Sequence, residues 1–329
     1  MTRIGIVGSG VVGTATGKGF IAKGYDVTFT DINPTVIDGF RREGHRACRP
    51  DRLIRRDIDA LFLTVPTPTI DGRIELKFLK SASTTVAAVL KEKNGYPLVV
   101  VRSTVLPGTT EDLVIPLLEK YSGKKAGKHF GVCMNPEYLR EKNSLDDFLK
   151  PWAIVIGSFD SRSAEKLQEI YRPFNCSVSH LTLREAEIQK YIHNLFNAHK
   201  ISFFNEMRAV SELIGVDADK VFNLVSKTAE ASWNPEYGIN DLGPYGGSCL
   251  PKDTVAFLSW AEKELKKTIL SLKATIQVNE NLKRNRILES PREGAVTIAA
   301  PAYLRHLFDD KINRKTPVDA EVSERELAG

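Results

Sequence analysis

The sequence has no run of about eighteen apolar residues, the length that a helix needs to cross the apolar core of a bilayer. It also leaves no room for a signal peptide, because a strand-like pattern begins already at Arg3. From these two absences we expect a cytoplasmic protein that has no membrane partner.

Cysteine is scarce, and the four residues of this type lie far apart in the chain, at Cys48, Cys133, Cys176 and Cys249. No two of them have CxxC spacing, and no histidine stands at a spacing typical of a zinc site. We therefore expect free thiols in a reducing compartment and no metal site.

A strong excess of one charge is lacking as well, since 46 basic and 41 acidic residues leave a formal net charge of +5. The densest basic stretches, residues 41–56 and 124–128, contain no aromatic side chain that could stack on bases. Nucleic-acid binding is therefore not expected, and the mild basicity suits a small anionic substrate. The length of 329 residues fits two globular domains with a tail.

Short apolar runs alternate with helical segments over the first part of the chain. Most of the runs are continuous rather than alternating, as in strands that are covered on both faces of a parallel sheet. The predicted strands are residues 4–7, 27–30, 60–64, 98–101, 129–133 and 153–156. The predicted helices are residues 12–23, 34–42, 77–93 and 110–120. This order predicts an α/β fold with a Rossmann-type, doubly wound parallel sheet.

The pattern becomes helical after residue 181. A long amphipathic helix is predicted at 182–214, where Thr182 and Glu185 resemble a capping box, and further helices at 217–226 and 252–288. The predicted domains are a Rossmann-type domain at 1–181, an all-helical domain with a long central helix at 182–289, and a tail at 290–329. The tail, which three prolines interrupt, is expected to be partly disordered or packed on the surface.

A glycine-rich hexapeptide links the first strand to the first helix, with the sequence Gly8-Ser9-Gly10-Val11-Val12-Gly13. The first glycine permits a tight turn, the second lets a pyrophosphate approach the backbone, and the third lets helix and strand pack closely. The helix N-terminus offers unpaired N–H groups to the phosphates. Asp31, at the end of the second strand, can bind the adenosine ribose and would repel a 2′-phosphate. The motif predicts NAD as the cofactor; the alternative is a glycine-rich turn that binds none.

Two further loops follow predicted strands, where the ligand crevice of such a sheet lies. They have the sequences Val65-Pro66-Thr67-Pro68-Thr69 and Ser103-Thr104-Val105-Leu106-Pro107. The predicted cofactor contacts in them are Pro66, Thr67, Pro68, Ser103 and Thr104. Ordinary proline and threonine turn chemistry is the alternative explanation for both loops.

Residues 245–253, Tyr-Gly-Gly-Ser-Cys-Leu-Pro-Lys-Asp, place Cys249 just before a predicted helix and close to Lys252. A helix N-terminus and a nearby cation both favour a thiolate, and Gly246-Gly247 lets a ligand approach the backbone. A cysteine is usually a small buried hydrophobe, which is our interpretation of the other three. We interpret Cys249 as a nucleophile.

With these motifs the sequence resembles the UDP-glucose/GDP-mannose dehydrogenase family. The matching segments, in chain order, are residues 8–13, 65–69, 102–110, 135–141 (Asn-Pro-Glu-Tyr-Leu-Arg-Glu), 185–194 with Asn205-Glu206, and 246–253. Together they extend from residue 1 to about 288, and their common order argues against coincidence.

The resemblance implies a nucleotide-sugar 6-dehydrogenase that oxidises the C6 alcohol of a UDP-hexose twice, with two molecules of NAD. Cys249 would hold the aldehyde as a thiohemiacetal, which a second oxidation turns into a thioester that water cleaves. Lys190 and Asn194, one helical turn apart, would stabilise the developing oxyanion. The remaining catalytic residues implied are Thr104 and Asp253, which would hold a proton-exchanging water, and Glu137, the base for thioester hydrolysis.

Further contacts follow from the same resemblance. Glu141 would lie against the nicotinamide end of NAD, and Lys252 would also contact the cofactor. The backbone of residues 240–246 would wrap the sugar. The substrate contacts implied are Tyr138, Leu139, Arg140, Lys190, Asn194, Tyr245 and Gly246. The long helix after the cysteine loop would form the core of a homodimer.

Two departures from the family pattern concern the substrate. Trp233 stands where the family usually carries an arginine that reaches a neighbouring subunit's sugar, so stacking would replace that contact or it is lost. Family members also continue into a third domain that binds the substrate diphosphate, which this sequence is expected to lack. The basic residues that are candidates to replace it are Arg292, Arg305, Lys311, Arg314 and Lys315.

Two other functions fit part of the pattern. A two-electron β-hydroxyacid-type dehydrogenase uses a helix lysine and asparagine on a smaller anionic alcohol, but it has no use for Cys249. A non-catalytic relative would bind NAD alone. Each site residue also has a purely structural alternative, such as a solvated helix face for Lys190 or a helix cap for Asp253.

Overall fold

The computed structural model describes residues 1–239 and 243–289, with side chains up to Arg284. The predicted tail at 290–329, its five basic residues, and residues 240–242 of the sugar-wrapping segment lie outside the described residues. The chain divides into two compact units, Met1–Asn205 and a second that begins at Glu206. The domain boundary after residue 181 stays a prediction.

An eight-stranded sheet forms the centre of the first unit. The strands described are β1 Arg3–Val7, β2 Asp26–Thr30, β3 Arg46–Cys48, β4 Ala60–Leu63, β5 Thr69–Ile70, β6 Arg73–Ile74, β7 Leu98–Val101, β8 Gly131–Met134, β9 Ile154–Ser158 and β10 Val178–Thr182. The sheet order is β10-β9-β8-β7-β4-β1-β2-β3, and β5 and β6 form a separate antiparallel pair. The Rossmann-type fold is therefore confirmed.

The sheet is not parallel throughout. In sheet order, the strands β3, β2, β1, β4, β7 and β8 pair in parallel with their neighbours. The next pair, β8 and β9, is antiparallel through Cys133–Ser158 and Met134–Gly157. The continuous apolar runs of β4 and β7 are fully buried, as strands covered on both faces must be. Alternate residues of these strands enter two separate cores, with Leu61 and Val99 on one face and Phe62 and Val100 on the other.

Helices cover both faces of the sheet, and further helices make up the second unit. The helices described are α1 Val11–Ala22, α2 Pro34–Arg42, α3 Pro50–Leu53, α4 Lys77–Glu92, α5 Ile115–Ser122, α6 Ser144–Leu149, α7 Ser161–Tyr171, α8 Leu183–Leu213, α9 Ala218–Thr228, α10 Glu230–Trp233, α11 Leu250–Glu264 and α12 Leu270–Glu289. A π-helical turn, Thr110–Val114, precedes α5. Within the described residues, no helix combines the length and apolar character needed to cross a bilayer.

Two features of the helical region test the sequence predictions directly. The capping box is confirmed, because the Glu185 carboxylate accepts from Thr182 N at 2.7 Å and Thr182 Oγ1 accepts from Glu185 N at 3.3 Å. The prediction of a single helix at 252–288 is wrong. Lys266 adopts a left-handed conformation (φ 53°), and the helix is interrupted between α11 and α12.

The interruption lets two helices share one apolar core. Leu258 and Ala261 of α11 are buried together with Ile269 and Ile276. The start of α12 is capped by Glu206, whose carboxylate accepts from Leu270 N at 2.7 Å and Ser271 N at 2.8 Å. Glu206 supplies the N-terminal acceptor that the local sequence lacks.

Candidate active site

The glycine-rich loop adopts the geometry that its sequence predicts. Gly8 has φ +94°, and a Cβ there would lie 2.9 Å from the Val65 Cα. A Cβ on Gly13 would lie 2.0 Å from the Gly8 carbonyl oxygen, so α1 can approach β1 only with glycine there. A Cβ on Gly10 would meet open space, which leaves the backbone accessible to a ligand.

The N-terminus of α1 is open to an anion. Gly10 is its N-cap residue, no side chain caps the helix, and its first turn carries no acidic residue. The N–H groups of the first turn are therefore available to a phosphate. Ser9, by contrast, is buried, and its hydroxyl donates to the Thr30 carbonyl at 3.2 Å, so its side chain belongs to the turn.

The Asp31 carboxylate is held at the rim of this loop by backbone N–H groups. It accepts from Ser9 N at 2.7 Å and from Asn33 N at 2.9 Å. Each carboxylate oxygen has a second lone pair. The group can therefore accept ribose hydroxyls without giving up its place in the turn.

A cleft of about 370 Å³ opens beside Gly8, Gly10 and Asp31. One wall is a face of α4 that the sequence analysis did not single out. Its lining side chains follow helical spacing and are Phe78, Ser81, Ala82 and Thr85. A wall of apolar and hydroxyl side chains next to a ribose-binding carboxylate and an open helix N-terminus suits a dinucleotide such as NAD.

The two strand-end loops contact each other, and the first of them lines the cleft. Thr67 Oγ1 donates to the Thr104 carbonyl at 2.7 Å, and Ser103 Oγ donates to the Val65 carbonyl at 2.6 Å. Pro66 lines the cleft. The structure therefore brings both predicted loops to one edge of the sheet, beside the glycine-rich loop.

Lys190 and Glu137, which stand 53 residues apart in sequence, form an ion pair. Lys190 Nζ lies 3.1 Å from Glu137 Oε1 and also donates to the Glu137 backbone carbonyl. Lys190 is only 4% exposed, so the solvated helix face is ruled out for this residue. Glu137 Oε2 accepts from Leu139 N at 2.7 Å, which fixes the carboxylate from its other side.

Aromatic and polar side chains surround this pair. Lys190 Nζ lies 5.3 Å from the centre of the Tyr138 ring, and the Tyr138 hydroxyl donates to Gln189. Burial raises the pKa of Tyr138 to about 12. Burial, with the nearby Lys190 cation, lowers the pKa of His193, whose ring packs against Tyr138 at 4.8 Å. Asn194, one turn after Lys190, is exposed.

The next predicted residues lie on the loop that leaves this pair. Arg140 binds the buried Asp147 carboxylate at 2.7 Å and lies over the Trp152 ring at 5.2 Å. Its guanidinium is thus engaged within the first unit, although its side chain stays 63% exposed. Leu139 is half-buried, and Glu141, in a short 3-10 turn, is exposed.

Glu187 is a buried carboxylate to which the sequence analysis gave no role. It accepts from Thr110 N at 2.8 Å and from Gly108 N at 2.5 Å, at the end of the loop that carries Thr104. Burial raises the pKa of its carboxyl. Together with Lys190, three residues later, it fastens the first turns of α8 to two strand-end loops. The helical spacing of Glu187 and Lys190 was visible in the sequence, but the partners were not.

Cys249 is exposed, whereas Cys48 and Cys133 are buried. It is the N-cap residue of α11 and its sulfur lies 3.7 Å from the Ser248 hydroxyl. Lys252, expected to act on the thiol, forms an ion pair with Asp253. The structural alternative for Asp253, a helix cap, does not apply, because its exposed side chain is bound to Lys252 and α11 has no side-chain cap.

The glycines before Cys249 are exposed, and Gly247 has φ +77°. This loop is tied to α12 by Asn279, a buried residue whose Nδ2 donates to the Tyr245 carbonyl at 3.2 Å. Trp233, at the end of α10, is 60% exposed. Gly246, Cys249 and Trp233 are therefore accessible to a ligand.

Comparison with known proteins identifies the family of the chain. The profile of the UDP-glucose/GDP-mannose dehydrogenase family, NAD binding domain, matches residues 52–175, and the central-domain profile of the same family matches residues 184–281. A UDP-glucose 6-dehydrogenase, AglM, of Haloferax volcanii is 35% identical over 88% of this chain and 72% of its own length. A GDP-mannose 6-dehydrogenase of Pseudomonas syringae pv. tomato is 35% identical over 77% of this chain and 63% of its own length.

Two solved structures are similar as well. A ternary complex of GDP-mannose dehydrogenase from Pseudomonas aeruginosa has a TM-score of 0.80 at 32% identity, over 87% of this chain and 70% of that one. A UDP-glucose dehydrogenase from Pyrobaculum islandicum has a TM-score of 0.65 at 34% identity, over 88% and 70%. The chain thus spans 63% to 72% of the length of these relatives. With both domain profiles matched in order, the chain belongs to the UDP-glucose/GDP-mannose dehydrogenase family.

Proposed function

We propose that the protein is an NAD-dependent nucleotide-sugar 6-dehydrogenase that oxidises the C6 alcohol of a UDP-hexose to the uronic acid, with Cys249 as covalent nucleophile. The observation that carries the proposal is the exposed thiol of Cys249 at the N-terminus of α11. An accessible cysteine thiol is suited to nucleophilic attack on a carbonyl carbon and to formation of a covalent intermediate.

NAD is the cofactor in this proposal. The residues that would hold it are the glycine-rich loop and α1 N-terminus for the pyrophosphate, Asp31 for the ribose, and the α4 wall of the cleft for the adenine. When bound, NAD accepts a hydride in each of the two oxidations. The Asp31 charge disfavours NADP, since the carboxylate would face its 2′-phosphate.

In the first oxidation the C6 alcohol loses a hydride and a proton to become an aldehyde. The Lys190 ammonium and the Asn194 amide stabilise the negative charge that develops on the oxygen. Thr104 and Asp253 hold the water that exchanges the alcohol proton. The Cys249 sulfur then bonds to the aldehyde carbon, and the carbonyl oxygen takes up a proton to give a thiohemiacetal.

The second oxidation removes a hydride from the same carbon and a proton from the thiohemiacetal hydroxyl, which leaves a thioester. Glu137 acts as the base that takes a proton from water, the water oxygen bonds to the thioester carbon, and the carbon–sulfur bond breaks. The Cys249 thiolate leaves and the acid is released. A substrate oxyanion that binds Lys190 would compete with the Glu137 carboxylate for the ammonium and so free Glu137 for this role.

A stopped assay of NADH yield tests the proposal. The protein is incubated with NAD and a panel of UDP- and GDP-hexoses, and the mass of each product is measured. We expect two NADH per uronic acid and the highest rate with a UDP-hexose. One NADH per product, with full turnover by Cys249→Ala, would instead identify a two-electron dehydrogenase, and NAD binding without NADH from any sugar would identify a non-catalytic relative.

Labelling with iodoacetamide tests the nucleophile separately. Peptide mass spectrometry should find Cys249 modified fastest, and NAD with UDP-glucose should protect it. Cys176→Ala is the matched control, because Cys176 is half-buried and its sulfur lies 3.2 Å from the Pro151 carbonyl. Equal labelling of wild type and Cys249→Ala would contradict the proposed role.

Two finer proposals concern the sugar and the assembly. Trp233 would stack on the sugar in place of the usual arginine, so Trp233→Ala should raise KM for the sugar nucleotide more than KM for NAD. We also infer a homodimer whose core lies on the helices after the cysteine loop, which the exposed apolar side chains of α12 support: Leu270, Val278 and Leu282 are 70%, 59% and 43% exposed. Light scattering at the monomer mass of 36.6 kDa would contradict the dimer.

A further inference from the structure

A buried arginine joins the cofactor-binding helix to the loop that carries Glu137. Arg102 directly follows β7 and is only 5% exposed. Its Nε donates to Thr16 Oγ1 at 3.0 Å, on α1, and its Nη1 donates to the Asn135 Oδ1 and to the Tyr171 hydroxyl at 3.1 Å. One guanidinium therefore contacts three separate elements of the first unit.

This guanidinium is held by neutral groups. Among the described residues, its hydrogen-bond partners include no carboxylate, and its charge lies over the Phe148 ring at 5.2 Å. Burying a charge costs free energy, and a packed apolar side chain often stabilises a core at least as well. What Arg102 contributes beyond an apolar side chain is therefore the fixed geometry that its planar guanidinium imposes on its hydrogen-bond partners.

Asn135 is the partner that leads to the active site. Besides Arg102, its Oδ1 accepts from the Tyr171 hydroxyl at 2.6 Å, its Nδ2 donates to the Val155 carbonyl at 2.8 Å, and its backbone N–H donates to Val101 at 2.9 Å. A side chain with this many bonds has a single orientation.

Glu137 follows Asn135 by two residues, with a proline between them that restricts the backbone. The position of Asn135 therefore fixes the backbone that leads to Glu137, whose carboxylate meets Lys190.

The other end of the network is fixed on α1. Thr16 is fully buried in this helix, whose N-terminus carries the glycine-rich loop. Three residues later, a Cβ on Gly19 would lie 2.1 Å from the Phe148 Cδ1, so α1 and Phe148 are in direct contact. Arg102 thus bridges between the helix that would hold the pyrophosphate and the loop that carries the proposed hydrolytic base.

We propose that Arg102 is a positioning residue that fixes Glu137 relative to the cofactor-binding helix. The inference rests on the proposed function, in which Glu137 activates the water that cleaves the thioester. Loss of the guanidinium fork would leave NAD binding in place, because the hydrogen bonds that hold Asp31 and Ser103 do not involve the Arg102 side chain. It would displace Glu137, so the thioester would form and then persist.

Arg102→Lys tests this, since it keeps the charge and loses the planar fork. We expect kcat to fall about 100-fold while KM for NAD changes by no more than about twofold, because a displacement of about 1 Å at a catalytic group has an effect of this size. Intact-protein mass spectrometry during turnover should show a thioester adduct, as it should for Glu137→Gln. Tyr171→Phe, a milder change in the same network, should give a smaller adduct fraction.

Tyr25→Phe is the matched control, because it removes a hydroxyl that donates at 2.7 Å to the Ile170 carbonyl, next to Tyr171, but makes no hydrogen bond to Arg102 or Asn135. It should give no adduct even if its Tm falls. An adduct in Glu137→Gln but none in Arg102→Lys and Tyr171→Phe would overturn the inference. So would a loss of kcat that follows only the loss of Tm across all three variants.

If Glu137→Gln itself shows no adduct, the proposed function fails, and amide hydrogen exchange then decides the inference alone. Faster exchange in residues 135–141 of Arg102→Lys and Tyr171→Phe than of Tyr25→Phe would support the positioning role. Equal exchange in all three would overturn it.

Discussion

The Lys190–Glu137 pair and the Cys249 loop carry the two halves of the proposed chemistry, but they are built differently. Lys190 is almost fully buried and touches Glu137, Tyr138 and the loop backbone. Cys249 and the glycines before it are exposed, and Asn279 donates to the Tyr245 carbonyl near the start of this loop. The first site is organised before any ligand binds, whereas the second leaves its reactive group accessible.

The difference separates two kinds of functional residue. A buried charged pair contributes to the fold and to catalysis together, because its removal leaves an uncompensated partner. An exposed nucleophile contributes to catalysis alone. Substitutions at either site should therefore reduce activity, but only those at the buried pair should also reduce the stability of the fold.

The largest effect is expected for Cys249→Ala. Without the thiol no thioester forms, so acid production should fall at least about 1,000-fold, as for the loss of other covalent nucleophiles. The free energy of unfolding should change by less than about 0.5 kcal/mol, because the side chain is exposed. Acid production is measured by product mass and stability by urea unfolding. Retained acid production would show that the two sites do not share one reaction.

Lys190→Met should reduce both quantities. We expect kcat to fall about 100- to 1,000-fold through loss of oxyanion stabilisation. The Glu137 carboxylate would lose its partner, which costs about 3–5 kcal/mol of stability for a buried pair.

Urea unfolding and kcat together separate the loss of stability from the loss of catalysis. They are measured for Lys190→Met, for the double variant Lys190→Met with Glu137→Gln, and for Lys227→Met. The double variant should regain part of the lost stability but none of the activity, and the exposed Lys227 should affect neither. A Lys190→Met variant that is inactive but as stable as the wild type would contradict the claim that the buried pair contributes to the stability of the fold.

A smaller effect is expected at Asp31, whose carboxylate is half-buried and bound by backbone N–H groups. In Asp31→Asn the ratio of kcat/KM for NAD to that for NADP should fall about tenfold, which corresponds to about 1.4 kcal/mol. Steady-state kinetics with both cofactors measures it, and Asp38→Asn, on the exposed face of α2, should leave the ratio unchanged. An unchanged ratio in Asp31→Asn would remove Asp31 from the ribose site.

The sequence predicted the parts of this molecule that local physical chemistry determines. The buried runs of β4 and β7 are continuous because both faces are covered, and the glycines at 8, 10 and 13 each have a steric reason. The strands β3 and β10 were missed, because one has three residues and the other is a half-exposed edge strand that mixes polar and apolar residues.

What the sequence did not show depends on distant partners. The break between α11 and α12 contains no glycine or proline, and the cap of α12 comes from Glu206, 64 residues earlier in the chain. The burial of Glu187 depends on Gly108 and Thr110, and that of Arg102 on Thr16, Asn135 and Tyr171. A resemblance placed Lys190 and Glu137 in one mechanism, but their ion pair follows only from the sheet bringing residues 53 apart together.

The smallest expected effect is a pH dependence of stability, and it differs between a buried and an exposed carboxyl at the start of α8. The pKa shifts of the two groups have opposite directions. Burial raises the pKa of Glu187 above its ordinary value of 4.5, so the folded chain retains a proton that the unfolded chain releases. The stabilisation by Glu187 relative to Glu187→Gln is therefore greatest below pH 4.5 and is lost as the pH rises through the raised pKa. At Glu185, hydrogen bonds from the backbone N–H and hydroxyl of Thr182 lower the pKa.

The stabilisation by Glu185 relative to Glu185→Gln is thus present above pH 4.5 and is lost as the pH falls through the lowered pKa. Thermal unfolding of the wild type and both variants across this range should give two Tm differences with opposite slopes. Parallel slopes would mean that Glu187 is not buried in the folded protein, and the loop that carries Thr104 would then lack its anchor on α8.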